Sequence, residues 1–160
     1  MEAFGVQFAV EDLTRLKALT RLFEVIKRDK YAGALRDPNA WLDLIPDEVK
    51  LAFDWPTKED REYWLSVRNI TPIGVPEPSE QIGERWDFYR IWEAIEDGDY
   101  DILSCAMVAD RIAEVQIDPH GYPYGGVGPI IALVEAFGFV VLGVNECGRF
   151  ESRDELLHNR

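Results

Sequence analysis

The chain has 160 residues, 47% of them hydrophobic and 12% aromatic, which favours a packed core over disorder and suits one domain burying roughly 70% of its unfolded surface. Its net charge of −13 is unevenly spread, at +1 over residues 1–37, −11 over 38–110 and −3 over 111–160. An acidic middle of this size argues against nucleic acid and anionic membranes as partners and for a basic one.

Two further readings concern location. There is no apolar run of about eighteen residues, so no membrane helix is expected. The opening MEAFGVQFAV is acidic where a signal peptide is basic, so a cytoplasmic protein with reduced, buried Cys105 and Cys147 is expected.

In chain order, Phe4, Val6, Phe8 and Val10 alternate with smaller or polar residues, as in a short strand. Leu13, Leu16, Leu19, Leu22, Phe23 and Ile26 then recur at helical spacing up to residue 30, opposite Arg15, Lys17, Arg21, Lys27 and Arg28. Asp37-Pro38 reads as an N-cap followed by a first helical proline, and DEVKLAF as another short helical turn. Thr57 with Asp60 opens a helix carrying Tyr63, Trp64 and Val67. The stretch 71–79, TPIGVPEPS, cannot be regular and is read as a rigid connection within one domain.

A long helix over 79–97 follows, with Ile82, Trp86, Tyr89, Trp92 and Ile95 as its apolar stripe and Gly98 as its C-cap. The period then changes to two. Strands are predicted near 101–107 and 111–117 as an antiparallel hairpin, then a helix over 129–137 and a buried strand over 139–145. The tail ESRDELLHNR reads as a terminal helix. The resulting class is α+β, a helical N-terminal half on a small mixed sheet made by a C-terminal β-β-α-β unit. If the last strand lies beside 111–117, the helix between them is the crossover. The expected core includes Leu16, Leu22, Trp86, Trp92, Leu103, Val115, Leu133 and Val141.

The stretch most like a site is HGYPYGGVGP, residues 120–129. It matches neither the phosphate-binding loop, which needs Lys and a hydroxyl after its glycines, nor the dinucleotide fingerprint. Asp118-Pro119-His120-Gly121 suits a type I turn, and Gly128-Pro129 a helix start. Tyr122 and Tyr124 remain as rigid contact residues suited to recognition. A catalytic reading would make His120 a general base with Asp118, Glu135 and Tyr122 around it. Asp97, Asp99 and Asp101 resemble half a calcium loop, but Ile102 and Val108 stand where Gly and Glu are needed, so no metal and no cofactor are expected.

Glu80, Glu84 and Asp87 fall at spacing four and three, on one face of the expected long helix. With Glu77, Glu93, Glu96 and Asp97 they form an acidic ridge. The leading expectation is therefore a small acidic binding protein, an inhibitor or immunity-type protein that blocks a basic protein partner through Glu80, Glu84, Asp87, Tyr122 and Tyr124. The alternative is a small-ligand-binding protein or enzyme using the loop 118–126. A homodimer, with the basic helix at 11–30 meeting another copy's ridge, is a further option.

Overall fold

The computed structural model describes residues 3–33, 35, 37–53, 87–120 and 126–159. The expectations about 71–79, Thr57, Tyr63, Trp64, Val67, Glu77, Glu80, Ile82, Glu84, Trp86, Tyr122 and Tyr124 lie outside those residues. The class is α+β, with helices on an antiparallel sheet. No helix among the described residues is long and apolar enough to cross a membrane.

Strand β1, Phe4–Ala9, points Phe4, Val6 and Phe8 into the core. Helix α1, Leu13–Tyr31, starts at Asp12, whose side chain accepts from the Thr14 and Arg15 N–H groups. Its Leu16, Leu19, Leu22, Phe23 and Ile26 are buried, so that part of the apolar stripe is the packed face, whereas Leu13, in the first turn, is 63% exposed and does not belong to it. Short helices α2, Pro38–Leu42, and α3, Asp47–Lys50, follow, the first capped by Asp37 as expected. Trp41 and Phe53 meet Phe88 edge-on, with centroids 6.4 and 5.4 Å away. That contact anchors helix α4, Phe88–Asp97.

Strands β2, Tyr100–Ala109, and β3, Ile112–Pro119, form the expected hairpin, and helix α5, Gly128–Ala136, and strand β4, Val140–Glu146, come within a residue of expectation. Strand β5, Arg149–Ser152, and helix α6, Arg153–His158, close the chain. The hairpin from β4 to β5 turns through Cys147 (φ 51°) and Gly148 (φ 87°). Two successive positive φ angles are what a two-residue hairpin turn needs.

The sheet order is β2-β3-β1-β4-β5, and every neighbouring pair is antiparallel. This corrects the mixed sheet built only from C-terminal strands. β1 sits at the centre, between β3 and β4, so the connection through α5 passes over it instead of joining adjacent strands. Its central place depends on Gly5. The Glu114 side chain of β3 lies where a Cβ on Gly5 would be, 5% exposed, and accepts from Gln7 Nε2 (2.8 Å) and Gln116 Nε2 (2.6 Å).

Three other corrections have local causes. The helix expected over 79–97 does not run through Asp87, whose backbone is extended (φ −64°, ψ 129°) and whose side chain caps the Tyr89 N–H. Leu103 is only half-buried because the β2–β3 register shifts between Ile102 and Ser104, turning it off the core face. Cys147 is exposed in its turn and Cys105 is buried, where desolvation pushes its thiol up to about 11; neither forms a disulfide. Of the other expected core residues, Leu16, Leu22, Val115, Leu133 and Val141 are buried, and Trp92 is partly buried against the core.

Candidate binding site at the corner of α4, β2 and β3

Helix α4 ends in Glu96 and Asp97, and the chain turns through Gly98 and Asp99 directly into β2. Gly98 is the C-cap of α4, as expected, with its N–H donating to the Ala94 carbonyl. Its φ is −62°, and glycine is required because a Cβ would run into the Tyr100 ring two residues on. This tight turn holds Asp99 and Asp101 at the start of β2, facing the end of β3. There Asp101 stands directly opposite Asp118, and the His120 N–H donates to the Asp99 carbonyl at 3.2 Å.

His120 is clamped between the two aspartates. Its Nδ1 lies 3.1 Å from Asp99 Oδ1 and its Nε2 2.8 Å from Asp101 Oδ2. A protonated ring donates to both carboxylates, whereas a neutral ring must turn a lone pair toward one of them. The hydrogen bond to Asp101, then that to Asp99, therefore holds the His120 pKa above its ordinary value. Behind the pair, Lys30 Nζ donates to the Ile95 and Gly98 carbonyls, each at 2.8 Å, and sits 4.7 Å from the centre of the Tyr100 ring. Burial lowers the Lys30 pKa, and Asp101, Asp99, Glu96 and Asp97 oppose that shift.

The catalytic reading groups His120 with Asp118, Glu135 and Tyr122, of which Tyr122 lies outside the described residues. His120 is held by Asp99 and Asp101, and neither Asp118 nor Glu135 hydrogen-bonds to it. Glu135 instead pairs with Arg153, at 2.9 Å from Nη2 and 3.0 Å from Nε. Held by two carboxylates, with its pKa raised, the ring of His120 is arranged as a charge clamp. Among the described residues no group of His, Cys, Asp or Glu is arranged to hold a metal ion. A groove of about 600 Å³ opens between α1 and α2, lined by Arg21, Glu24, Arg28 and Asp43 among others, and none of its lining residues belongs to the corner.

The acidic ridge fares differently from its premise. Asp87 is the cap of α4, so helical spacing does not carry it onto a common face with Glu80 and Glu84. Glu96 and Asp97 are exposed beside Asp99, and Asp101 and Asp118 are half-exposed. Asp99 and Asp101 read from sequence as polar residues leaving a helix and entering a strand, which is where they lie. Their link to His120 joins residues about twenty apart, which no spacing rule reveals. Tyr122 and Tyr124 lie two and four residues after His120 in the sequence. Comparison of the chain with protein-family models, with curated proteins and with solved structures finds no match.

Proposed function

We propose that this is a small acidic binding protein that blocks a basic protein partner, and that the acidic corner is its docking surface. The observation carrying this reading is that the corner places charge against the interest of its own fold. Glu96 and Asp97 occupy the last turn of α4, where the helix dipole disfavours anions. Asp101 faces Asp118 directly across a strand pair, where like charges also destabilise. Lys30 and His120 lie against this charge, and Glu96, Asp97 and Asp99 are exposed. Local rules broken twice at one spot are what a binding surface for a cation requires. Tyr122 and Tyr124 lie next in sequence and are proposed as the desolvated anchors, which would govern dissociation.

The test is a variant carrying Glu96→Lys, Asp97→Lys and Asp118→Lys, used as bait against lysate of the source cells beside the wild type. The expected outcome has opposite signs for its two readouts. Stability in urea stays equal or rises, because repulsion is removed, while the partner captured by the wild type is lost. Undiminished capture by the variant would reject the corner. Glu80→Lys with Glu84→Lys is the parallel arm for the ridge, leaving the Asp87 cap intact.

A further inference from the structure

We infer that the edge of β2, an outer strand among the described residues, is a self-association surface, at which a second copy of this chain pairs antiparallel to extend the sheet. This does not depend on the basic partner. Among the described residues β2 and β5 are the two outer strands of the sheet, and they are unlike. β5 has four residues and carries Arg149 and Glu151, the short, charged edge by which sheets avoid unwanted pairing. β2 has ten residues, and from Ile102 to Ala109 it contains no charge and no proline. Its residues Ala106 to Ala109 are all exposed, with Met107 at 43% and Val108 at 50%. The two register shifts of the hairpin fall between Ile102 and Ser104 and between Met107 and Ala109, so they bracket a regular stretch from Ser104 to Met107.

Charge complementarity selects a second copy as the occupant. β2 begins in the acidic corner, with Asp99 and Asp101, and ends in a turn whose exposed Asp110 and Arg111 carry one charge of each sign, so Arg111 is the cation that can meet the corner of another copy. Antiparallel pairing centred on Cys105 or Ala106 sets Arg111 of one copy beside Asp99 or Asp101 of the other, twice by symmetry. A two-fold axis normal to the sheet satisfies this and makes the contact isologous and closed. It also keeps both helical layers on one side.

Sedimentation of the full chain at physiological salt, over a range of concentrations, tests the inference together with amide exchange. Expected is a reversible dimer in which the amides of Ser104 to Val108 exchange more slowly as concentration rises. Met107→Lys and Val108→Lys, which place a charge on the edge, should each give a monomer with an unchanged circular dichroism spectrum. Arg111→Glu should raise the dimer dissociation constant roughly three- to tenfold, two exposed ion pairs being lost. A monomer at every concentration would overturn the inference, as would a dimer in which 104–108 stay unprotected. Amide exchange on the wild type decides the matter even where a lysine variant misfolds.

Discussion

His120 is the residue whose titration reports most directly on the corner. Its pKa is raised in the folded chain, so the stabilisation it supplies is complete below the unfolded value of about 6.5. That stabilisation fades as pH rises through the folded value. By NMR, its midpoint should lie above that of a free histidine, and Asp99→Asn with Asp101→Asn should bring it back down. His120→Ala should be destabilising at pH 5.5 and nearly neutral at pH 9. A midpoint unmoved by the double substitution would mean that the clamp is absent in solution. The turn propensity of Asp118-Pro119-His120-Gly121 made this histidine visible as a loop residue. Its partners were not visible, because they come from another strand through long-range pairing.

At the scale of elements, α1 does more than cover the sheet. Arg15 Nη1 donates to the Phe137 carbonyl at the end of α5 (3.1 Å), and Lys30 caps the end of α4. Two cations from one helix thus answer the carbonyl ends of two others, where the dipole favours them. Lys30→Met should cost about 1–2 kcal/mol in urea denaturation, the range for charge-assisted bonds at a half-exposed site. Phe88→Ala, by emptying the contact shared with Trp41 and Phe53, should cost about 3–5 kcal/mol. A larger loss from Lys30→Met than from Phe88→Ala would show that α4 is held by its cap and not by its aromatic anchor. The helix itself was readable from Tyr89, Trp92 and Ile95, but its start was not. The periodicity passes smoothly through Asp87, while the backbone there is set by capping. The β4–β5 hairpin was missed for a similar reason, since Cys147-Gly148 fills a turn where Asn-Gly is the usual signal.

At the scale of the whole molecule, alternation identified β1 as a strand and could not place it. Its position at the sheet centre rests on two neighbours far apart in sequence and on Gly5 leaving room for Glu114. That placement also fixes β2 as an outer strand and brings its acidic start to a corner of the sheet. The most direct measurement of the proposed role is the association rate of a captured partner, followed by stopped flow from roughly 0.02 to 0.3 M salt. For the wild type the rate should fall steeply with salt, at least tenfold, as electrostatic steering requires. For the variant with Glu96, Asp97 and Asp118 changed to Lys, it should be slow and nearly flat. Equal rates with equal salt dependence for the two proteins would contradict a docking role for the acidic corner.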